Sequence, residues 1–153
     1  MQEVNVYVKT TAHGPARKKR AYYAYVIQML TPHKEYIRKG FGTMENVTEN
    51  QITLTALVKA FERFNRGCRV RIFTSCEHVL HSAQNGWPWQ WEKNGWTKSN
   101  GKTVSNAELW QQFLNVTKKH AISYTDEEHQ FSSWMEFELK RMEQNNEKHN
   151  AEK

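Results

Sequence analysis

Of the 16 acidic residues in this chain, one is an aspartate, Asp126, and the rest are glutamates. Sites that hold Mg²⁺ usually converge two or more carboxylates, and the short Asp stem is the easier one to lock. The chain is therefore poorly supplied for that chemistry. Cys76, His78 and His81 have a spacing that invites Zn²⁺, but no second Cys or His pair is placed to close a four-ligand site. A stronger signal lies in residues 87–103, WPWQWEKNGWTKSNGKT, which contain four Trp, three Lys and two Gly. An aromatic wall beside a cationic rim suits a sugar-phosphate strand, because bases stack on indoles and lysines release counterions from phosphates. The bland alternative is that the indoles fill a core. RKKR (17–20) is either a solvated loop or a further nucleic-acid contact.

The charge is unevenly spread. Residues 1–125 hold 18 basic and 8 acidic residues, whereas residues 126–153 hold 4 and 8. The body is thus basic and the tail acidic, although a pI near 9.3 is alone a weak sign of a polyanion partner. A length of 153 residues fits one domain that can bury a core without staples. The mean hydropathy of −0.88 and the absence of any long apolar run exclude a membrane span. The first residues lack a basic-then-apolar leader, and two cysteines make no disulfide framework. These features predict a soluble cytoplasmic domain with no membrane association.

The elements that must position these residues read as follows. Val4, Val6 and Val8 alternate with polar partners as a half-buried strand. After the Gly14-Pro15 turn, residues 21–30 and 35–41 read as two more strands of an antiparallel meander. Thr48 and Gln51 form a capping box for a helix with an apolar stripe from Ile52 to Phe64, stopped by Gly67. Residues 69–74 alternate as a strand, 76–84 as a short helix and 121–125 as a last strand. Ser105 with Glu108, and Ser133 with Glu136, predict two more capping boxes, the second opening a helix over 132–142. Residues 145–153 are expected to fray. The order β-β-β-α-β-α-α-β-α predicts an α/β fold with helices on the faces of a mixed sheet.

In this order the features resemble type 1 ribonuclease H. The segment WPWQWEKNGW-TKSNGKTVSNAELWQQF is similar to that family's basic protrusion, the helical handle that holds the hybrid. Trp87, Trp91, Gly95, Trp96, Asn106, Glu108, Leu109 and Trp110 fall in register with it. The resemblance covers roughly residues 3–142. It implies a ribonuclease H-like domain over 1–144: a five-stranded mixed sheet, three antiparallel strands then two parallel, with flanking helices and a Trp/Lys-rich handle. A charged tail, 145–153, follows.

The resemblance also implies cleavage of the RNA strand of RNA–DNA hybrids by two Mg²⁺ on four carboxylates, and here this chain departs from the pattern. The four positions are matched by Lys9, Thr53, Ser75 and Phe137, the last open to a slip onto Glu136 or Glu138. An ammonium at Lys9 opposes divalent cations, and an ion pair with Glu136 or Glu138 would fill their place. The mobile catalytic His has no clear match, with His129 nearby. No cofactor is expected, Mg²⁺ entering only if activity survives. The DNA-phosphate pocket is matched by Thr48 and Asn106, and one of two hybrid-reading amides by Asn50, the other being Glu49. Trp87 and Trp91 match aromatic positions along the DNA-strand channel, with Lys93, Lys98 and Lys102 keeping the handle basic. Trp96 and Trp110 are expected to pack.

Three functions follow from this pattern. The first is a catalytically degenerate domain, a pseudoenzyme, that binds RNA–DNA hybrid or duplex without cutting. The second is a structural module whose faces contact a protein partner or a second copy. The third is an active ribonuclease with an unusual metal site.

Overall fold

A computed structural model describes the backbone of residues 1–151 and the side chains of residues 1–147. Five strands build one sheet: β1 (Gln2–Thr10), β2 (Arg20–Leu30), β3 (Glu35–Glu45), β4 (Cys68–Phe73) and β5 (Ala121–Thr125). Their spatial order is β3-β2-β1-β4-β5. β1 and β3 run antiparallel to β2, while β4 is parallel to both β1 and β5. This is the mixed sheet expected from the sequence.

Five helices complete the fold: α1 (Glu49–Phe61), α2 (Glu77–Gln84), α3 (Trp87–Lys93), α4 (Ala107–Thr117) and α5 (Ser132–Ala151). The strand period of two sends alternate residues to opposite faces. Val4, Val6 and Val8 of β1, with Val70 and Ile72 of β4, meet Ile52, Leu57 and Phe61 of α1 and Trp110 and Phe113 of α4 in the larger core. Tyr7, Tyr22, Ala24, Val26 and Phe73 face the other way and pack against Met135 and Leu139 of α5. Lys9, the last residue but one of β1, points to that same side, which brings it under α5.

Several boundaries differ from expectation. β3 runs to Glu45, beyond the predicted 41, because Gly40 and Gly42 lie beneath the rings of Tyr25 and Tyr23 on β2. A Cβ at either glycine would overlap the tyrosine ring, so the aromatic residue covers the gap that glycine leaves. α1 ends at Phe61, not near Gly67; Phe64 follows in a turn and stacks on Phe61 at 5.1 Å. The Thr48 capping box forms, Thr48 Oγ1 accepting from Gln51 N at 3.1 Å and Gln51 Oε1 from Thr48 N at 2.9 Å.

The other two boxes do not form. Asn106, in the left-handed region at φ 60°, caps α4 without a side-chain bond, because the chain must reverse sharply out of the handle. α5 starts at Ser132, one residue before the predicted cap, and Ser132 Oγ accepts from His129 N at 3.2 Å. That helix continues through 151; residues 152–153 of the predicted tail lie outside the described residues. No helix among the described residues is long and apolar enough to cross a membrane.

Candidate functional site

The C-terminal end of β1, the start of α1, the turn after β4 and the first turns of α5 enclose a cleft of about 290 Å³. Lys9, Thr53 and Ser75 all line it, so three of the four sequence-matched positions converge. Phe137 does not. Its side chain is 63% exposed, and Glu136, one residue earlier on the helix, lines the cleft in its place. Helical pitch explains the correction, since Met135 and Leu139 bury against the sheet and thereby fix which neighbours turn inward. Lys9 Nζ lies 3.3 Å from Glu136 Oε1. Glu138 points elsewhere and pairs with Arg141 at 2.9 Å.

The rest of the cleft is mixed in charge. Glu49, Glu143, Lys140 and His13 line it along with the Lys9–Glu136 pair. Glu49 is anchored, its Oε1 accepting from Gly14 N at 3.0 Å while its own N–H donates to Gly14 O at 3.0 Å. These two hydrogen bonds tie the start of α1 to the β1–β2 turn. Asn50 is engaged too, its Oδ1 accepting from the Cys76 thiol at 3.2 Å. Burial is the chief cause that raises the Cys76 thiol above its ordinary value, and Glu49 adds to it.

His129 sits beside the cleft, packed on Tyr7 with ring centroids 4.2 Å apart and the planes tilted by 40°. Its Nδ1 accepts from Phe131 N at 3.2 Å. Burial first, and the Lys9 ammonium second, push it down to about 4, so it is a neutral packing residue near pH 7. The zinc reading is not supported by the placement of its residues. Cys76 is buried, His78 and His81 face outward on α2, and among the described residues no three His, Cys, Asp or Glu side chains gather as a ligand set.

The Trp/Lys segment forms a handle beyond the cleft. Pro88 at the start of α3 fits a first helical turn, where no N–H is needed. After α3 the chain turns at Gly95 and Trp96, both with positive φ, then doubles back through the Thr97–Thr103 bridge. Lys98 N donates to Lys102 O at 2.7 Å, which holds these two lysines side by side at the neck of the hairpin. Lys93, Lys98 and Lys102 are all exposed, and none makes an ion pair among the described residues.

The indoles divide as their burial dictates. Trp110 is fully buried and Trp96 packs against the core, as expected. Trp91 is half-buried, 5.7 Å from Trp110 and 6.4 Å from Trp87, and so links the core to the surface. Trp87 is 41% exposed. Trp89 is equally exposed at 42% and was not singled out from the sequence, although a position two residues from Trp87 and Trp91 on a helix must face away from both. Thr48 and Asn106 stand at the N-termini of α1 and α4, both half-buried. The RKKR run is an exposed loop whose last residue, Arg20, opens β2 and pairs with Glu45 at 2.6 Å.

Comparison with known proteins agrees with this architecture. The RNase H family model matches residues 1–126, and the chain belongs to that family. A ribonuclease H of Thermoanaerobacter sp. (strain X514) is 31% identical over 83 residues, 54% of each chain. One from Clostridium botulinum (strain Hall) is 25% identical over 124 residues, 81% of each chain. The match thus spans about half the length of the first relative. Among solved structures, LC9-RNase H1, a type 1 RNase H with the type 2 active-site motif, superposes with a TM-score of 0.69 at 19% identity, covering 84% of this chain and 64% of that one. At that identity the likeness is one of fold.

Proposed function

We propose that this chain is a catalytically degenerate ribonuclease H-like domain that binds nucleic acid, RNA–DNA hybrid or duplex, without cleaving it. The observation that carries the reading is the Lys9–Glu136 pair at 3.3 Å, in the cleft where Thr53 and Ser75 also converge. Mg²⁺ takes oxygen ligands in near-octahedral order and is bound through carboxylates. Of the three glutamates in the lining, Glu136 is paired to the Lys9 ammonium and Glu49 is bonded to Gly14 N, and among the described residues no three His, Cys, Asp or Glu side chains gather as the carboxylate set two such ions need. Repulsion between Lys9 and a divalent cation adds to the mismatch. No cofactor is part of this proposal.

Support for binding comes from the handle. Lys93, Lys98 and Lys102 offer three exposed charges in the same segment that carries the exposed ring of Trp87. Cations of this kind release counterions from a polyanion, and the ring offers a stacking surface. The cleft contributes less, since its lining holds three glutamates against two lysines. Grip and catalysis are thus separable on this surface.

One labelled RNA–DNA hybrid tests the proposal, incubated with Mg²⁺ or Mn²⁺ and scored for both retention and cleavage. The expected result is salt-dependent retention with an intact RNA strand. Replacing Lys93, Lys98 and Lys102 with Ala removes retention, each lysine contributing about 0.9 to the salt slope on a duplex. Metal-dependent cleavage defeats the proposal, as does an absence of any binding at low salt.

A further inference from the structure

The far side of the handle carries a second surface. A groove of about 580 Å³ runs between the start of α3, the end of α4 and β5. Trp89 forms one wall, and Lys118, His120, Ser123 and Gln84 lie along the rest. The volume is in the range of roughly 300–1,000 Å³ that small-ligand clefts occupy. Its chemistry differs from that of the β1–α5 cleft: the lining includes one lysine and no carboxylate. Trp89 presents an indole that is 42% exposed, although nothing in the core requires an indole there.

The polar groups fix the groove's walls. His120 Nδ1 accepts from Cys68 N–H at 3.0 Å, which places the ring proton on Nε2. That Nε2–H is buried without an acceptor among the described residues, with the ring packed against Phe61 and Phe64, so His120 shapes the groove floor and does not offer its donor to the groove. Gln84 is held by its bond to the Tyr124 carbonyl at 3.2 Å, so the groove wall is fixed in place by β5. An aromatic plane and a cation in one open groove match a planar base joined to a phosphate.

We infer that this groove takes a nucleotide unit of a single-stranded nucleic acid, its base stacked on Trp89 and its phosphate at Lys118. An unpaired strand is favoured over a duplex because a base offers its face to an indole only when it is unstacked. A free mononucleotide is the other source of the same chemistry. The site is separate from the lysine rim on which hybrid binding was proposed, and it stands or falls on its own.

The test uses the full chain, a fluorescein-labelled ten-nucleotide oligothymidylate and free dTMP as competitor. Trp89→Ala is expected to weaken the oligonucleotide about tenfold, with Trp89→Phe retaining most of the affinity. Lys118→Gln is expected to lower the salt slope by about 0.7, a readout that folding defects at Trp89 do not touch. The Lys93/Lys98/Lys102→Ala variant, measured beside them on hybrid, separates the two proposals. Oligonucleotide affinity unchanged by Trp89→Ala and a salt slope unchanged by Lys118→Gln overturn the groove and leave the hybrid reading intact. Binding of dTMP as tight as that of the oligonucleotide overturns the assignment to a strand. Loss of oligonucleotide binding in the Trp89 variant, with hybrid binding indifferent to the three lysines, keeps the groove and removes the other reading.

Discussion

Lys9 Nζ on β1 and Glu136 Oε1 on α5 are 3.3 Å apart, joining two elements that are distant in the chain and packed against each other through Tyr7 and Met135. The two partners are unequally exposed, Lys9 with 15% of its side chain accessible and Glu136 with 60%. Solvent screens such a pair, so its net contribution falls near the surface value of about 0–1 kcal/mol. The asymmetry nevertheless sets an order. Glu136→Gln leaves a mostly covered ammonium without its counter-charge, whereas Lys9→Met removes the charge and leaves an exposed carboxylate that water can solvate. Urea unfolding is expected to show Glu136→Gln as the more destabilising of the two, by a margin on the order of 1 kcal/mol or less. The reverse order shows that the pair does not hold α5 to the sheet in this way.

His129 provides a pH signature. Its native value, near 4, lies below the ordinary histidine value of 6.5, with burial the larger cause and Lys9 the next. Between those values the unfolded chain binds the proton and the native one does not, so stability rises with pH through that window. Acidification from about 6.5 toward 4 therefore removes stability, at most about 1.4 kcal/mol per pH unit for one proton and less after screening of a partly exposed ring. His129→Phe keeps the ring contact with Tyr7 and lacks the titration. Its unfolding free energy is expected to be flatter than wild type across pH 4–6.5; an equal slope assigns the dependence to other groups.

How far these features were legible in the sequence depends on whether local or long-range contacts decide them. The strand and helix order, the sheet class and the Thr48 cap follow from alternation and from a hydroxyl three residues before the amide N–H that donates to it, both short-range signals. Ser105 and Ser133 carried the same short-range signal, and tertiary packing overrode it: the handle forces Asn106 into a left-handed turn, and His129 claims Ser132. Phe137 was misplaced because a one-residue slip on a helix shifts direction by about 100°, which only the burial of Met135 and Leu139 resolves. Trp89 escaped notice because its groove is closed by α4 and β5, more than twenty residues further along the chain.

The indoles give a contrast between packing and surface. Trp110 is fully buried among α1 and α4 residues, so Trp110→Ala is expected to cost about 3–5 kcal/mol by thermal or urea unfolding. Trp87, 41% exposed, should unfold within about 0.5 kcal/mol of wild type as Trp87→Ala. The same variant should lose affinity for hybrid or duplex. A large stability loss at Trp87 shows that its ring is structural.

Gly40 and Tyr25 face each other across β3 and β2, and the Tyr25 hydroxyl also accepts from Arg63 at 3.2 Å, which pins the ring over the glycine. Gly40→Ala pushes a methyl into that ring and is expected to cost about 1–3 kcal/mol. Tyr25→Leu should relieve part of this, so the double variant is expected to be more stable than the sum of the single effects predicts. Strict additivity in unfolding measurements removes the steric account.

Thr48 has two possible duties, a helix cap seen directly and a proposed phosphate contact, and one substitution separates them. Its Oγ1 accepts from Gln51 N at 3.1 Å, so Thr48→Ala should cost about 1 kcal/mol, whereas Ser105→Ala and Ser133→Ala, whose caps do not form, should cost a few tenths at most. Asp caps a helix at least as well as Thr and also suits the positive end of the dipole, so Thr48→Asp should keep the stability of α1. It also places a full negative charge where a phosphate would approach. If Thr48 meets phosphate, Thr48→Asp weakens hybrid binding several-fold at low salt while melting like wild type. If the cap is its whole role, Thr48→Asp binds like wild type, and the phosphate contact is withdrawn from the interface while the lysine rim remains.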